Sequence, residues 1–481
     1  MLSGALAGFV YLHVREPHLH LSEDRPPREV TVTVEVLQLF PAAPPARSQS
    51  GLGRIVASGG TDRELTGCRV YFSAIRKISV APQRAARYQV RGVIETLAPS
   101  PADAGFDDYL DNLGIRQKLT RAQILREEQP PGRLPHFFSR LRSRLEMFLG
   151  RGLDRHPQIV SLYRAMLLGE KAALSTEQQN AFMRSGTFHI FCIAGLHVGV
   201  IAVALQSVLR LLRVPRRPEA GLTLLLLWLY VQITGANIPA ERAFIMITFW
   251  LVSRAFHWPG NGLAALAAAA LVTLLLDPLE LFSTGFQMSY TVVSTLVVMG
   301  VPLAEKWHAA WRPFSYRPRP DWRWYHRAIN WSGRWLLGAL AACWATFVAC
   351  TPSSIGYFHL FSPGSLVANL AIIPLASLAI TGGFLSLLCG LAGLLSLSAL
   401  FNSAAALTII TMDWFVQHDA AVPGFYFPAH FTRGWMAPVS LVAMTGVMLA
   451  CLSGRWSPRY GGFWPPVLAI ALILILGVKF G

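Results

Sequence analysis

Charge is scarce in this sequence. Only 14% of its 481 residues are charged, and the 26 acidic residues are outnumbered by 42 basic ones. With 53% hydrophobic residues, so little charge excludes an ordinary soluble domain and indicates a polytopic membrane protein. Cysteine is sparse as well. The six, at positions 68, 192, 343, 350, 389 and 451, form no CxxC pair, and only Cys68 lies outside the apolar runs. A disulfide framework is thereby excluded. The HExxH, GxSxG and Walker signatures are missing too, which removes the common metalloprotease, serine-hydrolase and nucleotide-binding readings. No intramembrane carboxylate stands at ligand spacing from a histidine, so no metal and no cofactor is expected.

What is present is hydrophobicity in blocks. Apolar runs near twenty residues long suit about 30 Å of hydrocarbon. The net charge of +16 fits topology signals and anionic membrane lipids, and equally a polyphosphate partner. Met1 to Val14 has no basic leader, so residues 1–27 read as a short membrane anchor and linker.

Residues 28–130 change character. Glu29 to Val36 alternates apolar and polar with period two, and strand-like runs follow at 54–58, 69–75 and 88–97. Short strands between turns predict a small β-barrel of the OB type. Phe106 to Leu110 and Gly114-Ile115 predict a short helix and turn leading out of it. Residues 131–183 are amphipathic and connecting helices. Within them Pro135 to Leu149 spaces Phe and Leu at three and four residues with arginines between, which predicts a helix on the membrane surface. A mostly apolar segment, Ile159 to Gly169, ends at Glu170-Lys171.

Residues 184–481 carry about nine or ten crossings, from segments near 187–212, 220–235, 239–257, 262–279, 283–303, 334–352, 364–382, 383–400, 401–417, 434–452 and 464–479, some re-entrant or paired as half-helices. Arg210, Arg213, Arg216 and Arg217 follow the first span, and Arg254 and His257 the third. The loop 304–333 adds Lys306, Arg312, Arg317, Arg319, Arg323 and Arg327. Positive residues mark cytoplasmic loops, and these counts agree in parity, so the β domain is expected outside.

Polar groups interrupt the apolar runs. Ser185 to Ala204 holds His189 and His197, eight residues apart, with Gly186, Gly195 and Gly199, where another backbone could approach or the helix break. On one helix the two imidazoles would lie on neighbouring faces. Further clusters are Gly235 to Arg242, with Glu241 beside Arg242; Gly285 to Ser289, with Gln287; Thr351 to Gly364, with His359 and an expected broken helix; and Asn369 before Pro374. Each alone reads as a turn or helix contact. Together they predict a polar, partly unwound interior, as in channels and transporters.

Gly195-Leu-His-Val-Gly199, preceded by Ser185-Gly186 and His189, resembles the signature of the ComEC family of competence proteins, with Ala194 where the family usually has serine. Leu168-Gly-Glu170, Arg242-Ala with Ile245-Met246, Asp277-Pro278, Gly285 to Ser289, Phe358 to Ser362, Ala368-Asn369 and Pro374 follow in family order. The resemblance implies a channel component for import of single-stranded DNA in natural transformation, without chemistry, in a bacterial inner membrane. It implies His189, Gly195, His197, Arg242, Gln287, His359 and Asn369 along the DNA path. Single-stranded DNA, membrane lipids, a DNA-receptor protein and a cytoplasmic helicase are the implied partners. No HxHxDH-type motif follows the last span, so the family's metallo-β-lactamase-like nuclease domain is expected to be lacking and a separate nuclease to supply it. A small-solute or lipid-like transporter on the same scaffold is the competing reading. An intramembrane metal-dependent hydrolase using His189, His197 and His359 is the third. Loop 304–333 interleaves Trp307, Trp311, Tyr316, Trp322, Trp324, Tyr325 and Trp331 with arginines, which suits either a receiving surface for DNA or an interfacial aromatic belt.

Overall fold

The computed structural model describes residues 26–40, 48–59, 65–76, 82–97, 107, 110, 115–154, 156–169, 174–191, 195–257, 261–316, 321–457 and 461–480. The expected anchor in 1–25, most of the expected helix at 106–110, and Glu170, Lys171, Cys192, Ala194, Arg317 and Arg319 lie outside these residues.

Five strands close into a barrel in the order β1-β2-β3-β5-β4, with β1 Arg28–Leu39, β2 Ser48–Ser58, β3 Arg69–Arg76, β4 Arg87–Thr96 and β5 Gln117–Gln129. Strands β3 and β5 run parallel, and the other neighbours antiparallel, a topology consistent with an OB fold. The interior follows from alternation: Val30, Val32, Val34 and Val36 of β1 point inward and pack with Ile55, Val70, Phe72, Val90 and Leu119. Gly92 faces Ala122 so closely that a Cβ would lie 2.9 Å from the alanine Cα. On the outer face Arg91 donates to Glu29 at 2.7 Å and holds that carboxyl below its ordinary range.

Strand β5 is missing from the expected set. Its sequence, QKLTRAQILREEQ, is rich in helix formers, and its inward positions are Gln117 and Leu119, then Ala122 and Ile124. The alternation slips by one residue where the register with β4 shifts and Arg121 adopts φ +49°. Such a bulge hides period two from a sequence scan.

The rest is helical: α1 Arg133–Gly150, α2 Pro157–Leu168, α3 Thr176–Arg184, α4 Gly195–Leu211, α5 Arg216–Ile233, α6 Ile238–Ala255, α7 Gly262–Leu276, α8 Thr284–Ala310, α9 Trp324–Phe358, α10 Ser365–Leu391, α11 Leu395–Ala421, α12 Met436–Ser453 and α13 Trp464–Gly477. Five of them, α8 to α12, are long and apolar enough to cross a membrane, and α4, α7 and α13 are shorter apolar helices. The chain is a multi-pass membrane protein with an N-terminal β-barrel. Three expected segments across 364–417 are two helices of 27 residues each, because Pro374 and the glycines at 382 and 383 are absorbed without a break. The glycines instead let α11 and α2 approach: a Cβ on Gly382 would lie 3.3 Å from Ala405, and one on Gly383 would meet Leu167 and Tyr163. Likewise α9 runs through Pro352 to Phe358 and breaks only at His359. The loop 304–333 is largely helical. Helices α8 and α9 extend into it, and Trp311 packs against Gly333.

Helix α1 packs against the bundle by part of its surface and leaves Leu134, Phe137 and Met147 exposed. Leu145 and Leu149 are buried, Phe148 lies against Gly390, and the Asn402 side chain donates to the α1 carbonyls of Phe148 at 2.7 Å and Arg151 at 3.0 Å. A helix C-terminus leaves such carbonyls without intrahelical donors, and a buried amide from α11 satisfies them.

Barrel contacts fix which end of the bundle is which. Arg84 donates to the Gly235 carbonyl between α5 and α6 at 3.1 Å, and Arg69 lies 3.8 Å from Asp277 after α7. Alternation then sends the α4–α5, α6–α7 and α8–α9 connections to the far end, together with Arg210, Arg213, Arg216, Arg217, Arg254, Lys306, Arg312 and Arg323. The barrel and the arginine-rich loops occupy opposite ends. A three-stranded sheet also forms, β6 Leu360–Phe361, β7 Phe427–Phe431 and β8 Val478–Phe480, from segments that no sequence pattern marks as strands.

Candidate functional site at the barrel end of the bundle

Residues 185–191 form a folded turn. Ser185 caps α3, donates to the Phe182 carbonyl at 3.2 Å and shares a hydrogen bond of 2.6 Å with Thr187. Gly186 adopts φ +70°, and a Cβ there would lie 2.8 Å from Ser365 Cβ at the start of α10, so glycine is required twice over. His189 stands exposed in a 3-10 turn, Phe188–Phe191, with Nδ1 3.3 Å from the Gly186 carbonyl oxygen. Helix α4 begins only at Gly195, so His189 and His197 do not share a helix. Buried Phe182 and Phe191, with ring centroids 4.6 Å apart, pin the turn to the core and explain why the helix does not extend back to it.

His197 is buried on α4, whose Val198 and Ile201 belong to a core that also contains Ala368 and Ile372 of α10. Gly195 and Gly199 lie on another face, where a Cβ would meet nothing within 4 Å. Among the described residues no helix approaches closely there, so of the two expected uses of these glycines close packing is not the one realised.

Arg242 is the most structured of the candidate residues. Pro239 and one further turn bring it into α6, where it is 3% exposed. Its Nη1 donates to Glu280 Oε2 at 2.8 Å and its Nε to Ser289 Oγ at 3.1 Å, and Ser283 Oγ also donates to Glu280 at 3.1 Å. Gly285 makes room for the guanidinium, since a Cβ there would lie 2.8 Å from Nη2. The motif at 285–289 therefore folds around Arg242. Glu280 was not among the expected residues. Its only signal is one carboxylate inside the apolar run Pro278–Phe282.

Gln287, in the same helix turn, donates to the Leu281 carbonyl and accepts from the Tyr357 hydroxyl. That bond ties the start of α8 to the end of α9, two residues before His359. His359 adopts φ +55°, and its exposed ring lies against that of His430, with centroids 4.6 Å apart and a tilt of 35°. Asn369 lies in the second turn of α10, and its buried Oδ1 has no hydrogen-bond partner among the described residues. Among the described residues no group of three or more His, Cys, Asp or Glu could hold a metal. The turn at 185–191, Arg242 with Glu280, Gln287 and His359 gather at the barrel end of the bundle. His197 and Asn369 lie near the barrel-end starts of two helices that share one core.

A separate groove of about 690 Å³ opens between α2, α3 and α11, lined by Ser161, Gln178, Arg184, Asp413 and Gln417 among others. None of the residues singled out in the sequence lines it.

The family described as Competence protein matches residues 166–456, more than half of the chain. Among curated proteins, ComE operon protein 3 of Bacillus subtilis is 31% identical over 142 residues, 30% of this chain and 18% of that protein. Competence protein ComA of Neisseria gonorrhoeae is 30% identical over 156 residues, 29% of this chain and 21% of that protein. Recombination protein 2 of Haemophilus influenzae is 23% identical over 220 residues, 44% of this chain and 26% of that protein. The chain thus spans about a quarter or less of the length of these relatives. No solved structure matches.

Proposed function

The chain belongs to the competence protein family, and from that premise we propose that it is an inner-membrane channel component through which single-stranded DNA enters the cell. The observation that carries the reading is the cluster at the barrel end, where Arg242 is held by Glu280 and Ser289 below the Arg69–Asp277 and Arg84–Gly235 contacts. A polyanion approaching from the barrel side meets the exposed cationic side chains of Arg69 and Arg84 and the amide of Gln287 at the point where it must leave water, while Arg242, neutralised by Glu280, holds the helix ends behind them in place. Beyond Arg242, the path follows His189, Gly195, His197, Gln287, His359 and Asn369. Asn369 Oδ1 and the open face along Gly195 and Gly199 suit a hydrated passage better than a packed seam. The arginines of the far end receive the strand on the cytoplasmic side. A DNA-receptor protein, a separate nuclease and a cytoplasmic helicase complete the system.

The test is uptake of labelled DNA by cells that carry the chromosomal deletion and normal competence pili. Uptake should disappear on deletion and return with the wild-type chain, and His197→Ala should insert normally yet fail to restore it. Undiminished uptake in the deletion strain would end this reading in favour of a small-solute or lipid-like transporter.

A further inference from the structure

The β6–β7–β8 sheet joins the end of α9, the connection between α11 and α12, and the residues after α13. Its two faces differ. Phe361 packs 6.1 Å from Phe347 of α9, and Phe431 lies against Gly356 and Gly477, so one face rests on the helices. Alternation puts His430 on the opposite face, and register pairs it with Lys479 of β8. His430 and Lys479 are both exposed, as is His359, whose ring lies against His430 with centroids 4.6 Å apart and a tilt of 35°.

Helix α9 ends in a left-handed residue, a position that ordinarily selects glycine or asparagine. Histidine stands there instead, with φ +55°, held by the Ala429 N–H donating to its carbonyl at 3.0 Å. The turn alone gives no reason for an imidazole. The neighbouring ring of His430 and the lysine beside it do, because flat rings interleaved with a cation are what an unpaired strand binds. The Tyr357–Gln287 bond links this face to the helix that carries Ser289, the Arg242 partner.

We propose that the outer face of this sheet, with His359, His430 and Lys479, is a base-stacking and phosphate-binding platform for single-stranded nucleic acid at the barrel end of the bundle. The proposal rests on the DNA reading above and adds the surface on which the strand first lies. Bases stack on the imidazole pair, Lys479 takes a phosphate, and the strand is led toward Gln287 and Arg242.

The experiment measures fluorescence anisotropy of a labelled oligothymidylate about 20 nucleotides long with the full chain in nanodiscs of neutral lipid. An abasic phosphodiester of equal length serves as the second probe. The triple substitution His359→Ala, His430→Ala and Lys479→Ala should weaken oligothymidylate binding about tenfold or more, the loss expected for a stacked base and a phosphate contact. His430→Ala alone should weaken the thymidylate and leave the abasic polymer unchanged, whereas His430→Phe, which keeps a ring, should bind both normally. Lys479→Ala should reduce the salt slope by about 0.7, the share of one single-strand phosphate contact. A triple variant with unchanged melting temperature that binds oligothymidylate within about twofold of wild type would overturn the platform while leaving DNA passage intact. A wild-type chain that binds neither polymer would overturn both.

Discussion

Arg242 concentrates the residue-scale physics of the site. A guanidinium this buried is tolerable only because Glu280 neutralises it and Ser289 takes a second donor. Removing one partner strands the other charge, so Arg242→Ala should lower stability by about 3–5 kcal/mol. The joint change Arg242→Met with Glu280→Leu should recover most of that. Arg242→Lys should behave poorly as well, since a point charge cannot reach both the carboxylate and Ser289 as the fork does. Denaturant unfolding in detergent measures all three, and an Arg242→Ala variant less than 1 kcal/mol below wild type would contradict the pairing. Arg242 was legible in the sequence, because an arginine at the start of an apolar run demands an explanation. Glu280 was not, because the pair joins residues 38 apart and nothing local marks the partner. The glycines divide in the same way. Gly186 is required by a positive φ and by Ser365, while Gly195 and Gly199, which look the same on paper, border open space.

At the scale of the element, helix α8 carries an irregularity with an identifiable cause. Pro302 has no N–H, so the Val298 carbonyl loses its intrahelical donor, and residues Leu296–Gly300 widen into a π turn. The indole of Trp456, after α12, supplies the missing bond to Val298 at 2.9 Å. Trp456→Phe keeps most of the apolar contact and removes that donor. It should cost about 1–3 kcal/mol, the price of a buried carbonyl left unsatisfied. In a Pro302→Ala background, where the helix regains its own donor, the same substitution should cost appreciably less. Equal costs in the two backgrounds would mean that the indole bond is incidental. The proline could be read from the sequence, but its remedy lies 154 residues away. Strand β5 was hidden for the opposite reason: its composition favours helix, and only neighbours β3 and β4 draw it into the barrel. The helices themselves were legible because hydrocarbon thickness imposes a length on them, although three expected segments merged into α10 and α11 where Pro374 and the glycines at 382 and 383 were tolerated.

For the molecule as a whole, the decisive quantity is orientation. By the positive-inside rule the arginine-rich end is expected in the cytoplasm, and the ion pair and hydrogen bond of Arg69 and Arg84 put the barrel at the opposite end of the bundle. The two assignments come from independent physics, the cost of moving positive charge through a bilayer and the side-chain contacts of a folded domain. Native thiols interfere little with a labelling test. Cys68 is buried in the barrel, where desolvation pushes its thiol up and leaves it a poor nucleophile, and Cys343 and Cys451 are buried among helices. With Cys192 and the half-buried Cys350 and Cys389 replaced by serine, a cysteine at Arg54 on the barrel surface should react with a membrane-impermeant maleimide in intact spheroplasts. A cysteine at Arg312, exposed between α8 and α9, should react only after the membrane is permeabilised. The reverse pattern would place the barrel and the His359–His430 face in the cytoplasm. The platform would then meet the strand after it had crossed, and the direction assigned to the path would have to be inverted.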